Sequence, residues 1–301
     1  MLKYWLFRLA GVVLPRVPGR WTSWLAAQAG GLAYRLGGTS RANLRSNLRH
    51  VLGQGASEGA IDAVGRQVFR HAAKSAVNLF QVPYLTGEEL ARTVTVNGWE
   101  HIEEARARGK GVIVVSGHFA GSEMAIHIAG WKGLHPVFLS EQLVPPALHD
   151  YVSRLRSTNG ARLLPIGVNN SLKQAFRTLR QNGVLSIVAD RDVTHSGRPV
   201  PFFGATACLP DGHVTLALRT GAAIIMGYSL RRPDDGFDLH LGAPIFLEPT
   251  GDQETDVQAG TERVAAAMET YIGAHPEQWT YFQRVWVDPM PAIGAEPRSG
   301  E

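Results

Sequence analysis

The chain has 301 residues, 45% of them hydrophobic, which suits one α/β domain with appendages and suffices to bury a sizeable core. A single cysteine, Cys208, excludes an intramolecular disulfide framework and a cysteine-built zinc cluster. The net charge of +4 conceals an asymmetry: residues 1–57 carry eight cations (Lys3, Arg8, Arg16, Arg20, Arg35, Arg41, Arg45 and Arg49) and no acid, leaving that segment +8 and the rest −4.

Those cations flank apolar, Trp-rich runs at 4–7, 9–14 and 21–34. The longest uncharged stretch is 14 residues, short of the roughly 18 to 20 that span hydrocarbon. The pattern predicts an N-terminal amphipathic membrane-binding segment over 1–38, two interfacial helices lying on an anionic surface as a peripheral or monotopic anchor. Trp5, Trp21 and Trp24 are expected at headgroup depth, with the arginines meeting lipid phosphates. Arg8 interrupts the first run and no small-x-small cleavage site is followed by a polar mature start, which argues against a signal peptide. The density of Trp, Leu and Val between the charges favours lipid over nucleic acid.

Residues 40–52 and 57–80 read as helices, the second with Ser57 as N-cap and a stripe of Ile61, Val64, Val68, Ala72, Val77 and Phe80. From residue 93, β-type runs at 93–96, 112–116, 137–139, 162–166, 184–189, 223–230 and 239–246 alternate with helical segments. Those segments cover 99–108, 121–130, 146–158, 171–181, 212–220 and 255–275. The alternation predicts an α/β fold, a largely buried mixed sheet flanked by helices, over 39–290. The Pro/Gly/Glu-rich tail at 291–301 is expected to be disordered. Ligands on such sheets sit beyond the carboxyl ends of the strands.

One such end reads Gly111-Val-Ile-Val-Val-Ser-Gly-His118-Phe-Ala-Gly-Ser-Glu123. A turn through Gly117 and Gly121 can fold Glu123 back onto His118, fixing the imidazole tautomer and freeing the other nitrogen as a general base. The same spacing also suits a strand-end histidine followed by a first-turn acid favoured by the helix macrodipole. A second end reads Ser186-Ile-Val-Ala-Asp190-Arg191-Asp192, two carboxylates around an arginine, able either to line a pocket or to hold a divalent cation. Phe202 and Phe203 suit the wall of an acyl channel, and Arg154 and Arg156 suit a phosphate or oxyanion, although a spacing of two puts them on different helix faces. No Gly-x-Ser-x-Gly elbow or Gly-rich phosphate loop occurs, and no base is tied to Cys208, so neither an acyl-enzyme nor nucleotide cradling is indicated.

His118 to Glu123 resembles the His-x4-Asp/Glu motif of glycerolipid acyltransferases. Together with Asn43-Leu-Arg-Ser-Asn-Leu, Asp190-Arg-Asp, Pro201-Phe-Phe-Gly, Arg219-Thr-Gly-Ala-Ala and His275-Pro-Glu-Gln-Trp-Thr-Tyr-Phe, it resembles the lipid A lauroyl/myristoyl acyltransferases and the related mycobacterial phosphatidylinositol mannoside acyltransferase. The resemblance implies an enzyme at the cytoplasmic face of the bacterial inner membrane. It would move a fatty acyl group from acyl carrier protein or acyl-CoA to a hydroxyl of a membrane lipid, with no metal and no cofactor beyond that co-substrate. A lipid A precursor-like acceptor is favoured, with phosphatidylinositol mannoside or a lysophospholipid as alternatives. His118 would match the family's base and Glu123 its carboxylate partner, with Glu141, Arg156 and Asp190 as further polar groups, while Arg154, Arg191 and Asp192 join the candidate substrate-binding set from their own placement. Ser122 stands where the family often carries Trp. Two rivals remain: a metal-dependent glycosyltransferase built on Asp190 and Asp192, and a non-enzymatic lipid-binding scaffold.

Overall fold

The computed structural model describes residues 1–286, so the predicted tail at 291–301 lies outside the described residues. The chain starts with four helices, α1 (Leu2–Val13), α2 (Gly19–Leu36), α3 (Thr39–Val51) and α4 (Glu58–Gln81), followed by a short α5 (Gly87–Thr93). It then alternates through β1 (Val94–Asn97), α6 (Trp99–Ala107), β2 (Val112–Ser116), α7 (Ser122–Trp131), β3 (Val137–Ser140), α8 (Pro146–Arg156), β4 (Arg162–Pro165), α9 (Asn169–Arg180) and β5 (Val184–Val188). A ribbon of β6 (Arg198–Phe202) and β7 (Ala205–Leu209) precedes α10 (Gly212–Thr220), β8 (Ala223–Arg231), β9 (Phe237–Leu241) and α11 (Gln253–Ala274).

Seven strands form one sheet in the order β1-β9-β8-β2-β5-β3-β4. Neighbours run parallel except β8 with β9, which makes the sheet mixed. The apolar run of β2 is central and covered on both faces. Ile113 and Val115 join a core with residues of α9, α10 and α11, while Val112 and Val114 face Met124 and Ile128 of α7 and Ile102 of α6.

Two elements were not predicted from the sequence. Helix α5 is short and rests on its end: Thr86 and Glu89 form a reciprocal capping box. The β6–β7 ribbon contains Pro199 and Pro201, which donate no ladder hydrogen bond and obscure a strand reading. Its two-residue turn puts Phe203 and Gly204 at φ of 49° and 73°, the left-handed pair that a tight hairpin demands. Strand β9 stops at Leu241, before the predicted 246, because Gly242-Ala-Pro244 cannot continue the ladder.

The N-terminal helices each have two unlike faces. Helix α2 buries Thr22, Ala26, Gly30, Gly31 and Tyr34, and Gly30 lets its backbone approach α4 so closely that a Cβ there would lie 2.4 Å from the Phe69 carbonyl oxygen. Tyr4, Phe7, Ala10 and Leu14 pack on Leu148, Tyr151 and Leu155 of α8. The opposite faces leave Trp5, Leu9, Trp21 and Trp24 more than half exposed, at 61%, 61%, 54% and 56%. No helix among the described residues is long and apolar enough to cross a membrane.

Candidate active site

Strands β2 and β5 are parallel neighbours with Ser116 opposite Val188. His118 and Asp190 each lie two residues beyond those partners, so the register alone sets them side by side at the carboxyl edge of the sheet. His118 Nδ1 meets Asp190 Oδ1 at 2.6 Å. Asp190 Oδ2 accepts from the His118 backbone N–H at 2.8 Å and from Trp279 Nε1 at 2.7 Å. Gly117 permits the approach, since a Cβ there would lie 3.1 Å from Asp190 Oδ2. Thr280 completes the loop by donating its backbone N–H and hydroxyl to the His118 carbonyl at 2.7 and 3.0 Å.

The Asp190 side chain is wholly buried, whereas 38% of the His118 side chain remains open. Burial works against the imidazolium, yet the Asp190 charge and hydrogen bond outweigh it and hold the His118 pKa above its ordinary value. Burial likewise opposes ionisation of Asp190, and His118 together with the Trp279 donor overcomes it, so that carboxyl stays below the usual range. Such a pair fixes the proton on Nδ1 and leaves Nε2 as the basic nitrogen.

Glu123 is not the partner of this ring. It sits in the first turn of α7, facing α8, where Arg156 Nε donates to Oε1 and Oε2 at 3.0 and 3.1 Å and Arg156 Nη2 also contacts Oε1. The expected His118–Glu123 pair is therefore replaced by two pairs, His118–Asp190 and Glu123–Arg156. Adjacent strands deliver a carboxylate to His118 more directly than the five-residue turn does. Burial disfavours the Arg156 cation, and Glu123 more than restores it, so Arg156 stays protonated.

A cavity of about 310 Å³ opens beside His118. Its sheet wall is Val114, Ser116, Val184, Ser186 and Val188, and its roof is the Ser122, Ala125 and Ala129 face of α7. Those small side chains recur three and seven residues apart, on one helix face, and leave the space open beneath it. Leu134 and Pro136, between α7 and β3, line the end away from His118 together with Val184. From Val188 to Val184 the wall runs four residues, about 13 Å at strand rise. Further apolar lining comes from Trp99, Leu239 and Leu241.

Glu141 and Arg191 meet across the mouth, Arg191 Nη2 to Glu141 Oε1 at 3.3 Å, and Arg156 also lines the cavity. Arg154 lies exposed on the outer face of α8 and takes no part in the lining, as its spacing from Arg156 suggested. Phe202 is buried against Trp286, with ring centroids 5.6 Å apart, and Phe203 packs on the same indole; neither lines the cavity, so the channel-wall role expected of them is not met. Asp192 folds onto its own loop, accepting from the backbone amides of Thr194, Ser196 and Gly197 at 3.2, 3.3 and 2.7 Å. With its oxygens engaged there and those of Asp190 held by His118 and Trp279, the two carboxylates do not converge on a shared cation, and the glycosyltransferase geometry fails.

Trp279 and Tyr281 were absent from the sequence-derived site. Tyr281 packs 5.5 Å from the His118 ring, and burial pushes its phenol pKa well up, keeping it neutral. Their only signal was membership of the 275–282 block, since nothing in the local spacing ties that segment to residue 118.

A family model of the bacterial lipid A biosynthesis acyltransferases matches residues 1–288. The chain belongs to that family. It is thus an acyltransferase that acts on lipids. The chain is 29% identical over 217 residues to the phosphatidylinositol mannoside acyltransferase of Mycobacterium tuberculosis, covering 69% of this chain and 66% of that protein. Its similarity to the Mycolicibacterium smegmatis protein of the same name is 27% over 258 residues, or 85% and 82% of the two chains. The lipid A biosynthesis lauroyltransferase of Escherichia coli is 28% identical over 200 residues, 65% of this acyltransferase and 62% of that one. A crystal structure of the 1-acyl-sn-glycerophosphate acyltransferase from Thermotoga maritima overlaps 79% of the chain and 98% of its own, with 15% identity and a TM-score of 0.38.

Proposed function

We propose that this acyltransferase moves a fatty acyl group from a thioester, borne by acyl carrier protein or CoA, to a hydroxyl of a membrane glycolipid at the cytoplasmic face of the inner membrane, with His118 as general base. The observation that carries the reading is a histidine polarised by a buried carboxylate at the mouth of an apolar cavity. The acceptor hydroxyl hydrogen-bonds Nε2, loses its proton as its oxygen attacks the thioester carbonyl, and the thiolate departs. Asp190 balances the imidazolium that forms, and the proton passes to the leaving sulfur. The acyl chain lies beneath α7. Arg156, neutralised on one side by Glu123, stands at the cavity wall where it can meet oxyanion charge. The exposed Trp5, Trp21 and Trp24 seat the helices α1 and α2 in the lipid interface, beside the cationic side chains that suit anionic headgroups.

The acceptor is taken as a phosphatidylinositol mannoside-like or lipid A precursor-like glycolipid, the two kinds named by the relatives. Assay of His118→Ala with each acceptor tests the mechanism: turnover is expected to fall by about two orders of magnitude or more while the fold and liposome binding persist. Near-normal turnover in a folded variant refutes the base.

A further inference from the structure

The cavity mouth lies between two dissimilar flanks. On one side Leu143, which lines the cavity, packs on the same buried cluster of α4 and α8 as Tyr4 and Phe7 of α1. On the other, Ile166 lines the cavity immediately before α9. Helix α9 covers the opposite sheet face from α7, through Ala175 and Leu179. Its outer face exposes Lys173, Arg177 and Arg180, it contains no acid, and Arg162 lies across a groove from Arg177. None of these four cations takes part in an ion pair among the described residues. Two large apolar side chains, Val168 at 43% and Leu172 at 62%, are exposed at the end of this stripe nearest the mouth. Lys173 to Arg180 spans seven residues, about 10 Å along the helix, a length suited to an extended acidic surface.

We propose that the outer face of α9 is the docking surface for an acidic acyl carrier protein, which presents its thioester to the mouth past Ile166 while α1 and α2 hold the acceptor side. The proposal rests on the acyl-transfer reading above and names the partner for its donor. Unpaired cations around an exposed aliphatic anchor complement an acidic helix of a partner protein. The stripe is set apart from the Trp-bearing helices, so the carrier can dock while the enzyme stays on the membrane.

The test uses the full chain and acyl carrier protein as the probe. Binding is read by fluorescence anisotropy for the wild type and for the triple variant K173E, R177E, R180E, and transfer is read with carrier-borne and CoA-borne donors of the same chain length. The expected result is at least tenfold weaker carrier binding, and at least a tenfold rise in KM for the carrier-borne donor with kcat little changed. The CoA-borne KM and liposome flotation should stay at wild-type values. Leu172→Ala, which leaves every charge in place, is expected to weaken carrier binding by a smaller factor. Unchanged carrier binding in the triple variant overturns the docking surface. An equal loss with acyl-CoA also overturns it, assigning the cations to the CoA phosphates. Salt-sensitive carrier binding that the triple variant abolishes, with no transfer from either donor in the wild type, upholds the docking surface and sinks the acyl-transfer reading instead.

Discussion

Replacing Asp190 by Asn keeps the shape of the site while altering its proton inventory. Asp190 Oδ2 accepts two N–H donors, the His118 backbone at 2.8 Å and Trp279 Nε1 at 2.7 Å, so the amide oxygen of the substituted side chain is expected to occupy that position. The amide nitrogen then takes the place of Oδ1 and donates toward His118 Nδ1. That geometry forces the neutral ring into the tautomer with its proton on Nε2, the nitrogen required as base. Turnover should fall by about two to four orders of magnitude, the range a positioned base supplies. Each lost charge-assisted hydrogen bond costs about 1.5–3 kcal/mol, and removing a buried charge offsets much of that, so the net stability change is expected to stay below about 2 kcal/mol. Steady-state rates on both glycolipid acceptors, run beside thermal melts, separate chemistry from folding. Because His118 must be neutral to accept a proton and its pKa is raised, wild-type activity should decline as pH falls through a value above the ordinary 6.5. In Asp190→Asn the inflection of the residual activity should move down. His118 adds stability that is complete below pH 6.5 and fades as pH rises through its folded pKa, whereas Asp190 adds stability above pH 3.8 that fades as pH falls. The stability gap between the two proteins should therefore be widest between those limits. Asp190→Asn turnover within a few-fold of wild type, with an unshifted pH profile, would refute the dyad.

Glu123→Gln strips the partner from Arg156, whose side chain is 29% exposed against 9% for Glu123. A stability loss of about 2–3 kcal/mol is expected in denaturant melts, below the 3–5 typical of a fully buried pair, and no loss at all would show the pair to be idle. Ala129→Phe fills the space beneath α7 and should shift donor preference toward shorter acyl chains in a competition assay; an unaltered chain-length profile would show that the chain lies elsewhere. Replacing Trp5, Trp21 and Trp24 together by Ser should sharply reduce flotation with anionic liposomes while leaving the melting temperature within a few degrees, because all three indoles are more than half exposed. Undiminished flotation would assign membrane contact to another surface.

The sheet was largely legible because its central strands β2, β5 and β8 are mostly apolar runs buried on both faces, and β2 in particular begins and ends where its pattern does. His118 was legible for a related reason: a histidine at the end of such a strand falls on the edge where ligands bind. Its partner was assigned by proximity in sequence, which favoured Glu123 at five residues over Asp190 at 72. Only the pairing of β2 with β5 reveals that Asp190 is the nearer group, and strand order is not encoded in local spacing. Arg156 was singled out from the sequence, but its attachment to Glu123 depends on how α8 crosses α7. The aromatic pair at 202–203 misled because buried rings and cavity-lining rings have the same composition, and only the stacking on Trp286 decides between them.

The bonds from Trp279 and Thr280 to the His118 loop carry a consequence for the life of the chain. These residues lie more than 150 positions downstream of the histidine, so a nascent or clipped polypeptide possesses the imidazole without the Trp279 donor that holds Asp190 and without the Thr280 bonds to the His118 carbonyl. Competence therefore arrives late in synthesis, after the lipid-seeking helices have emerged, and an incomplete product is left without the finished dyad with which to squander thioesters on water.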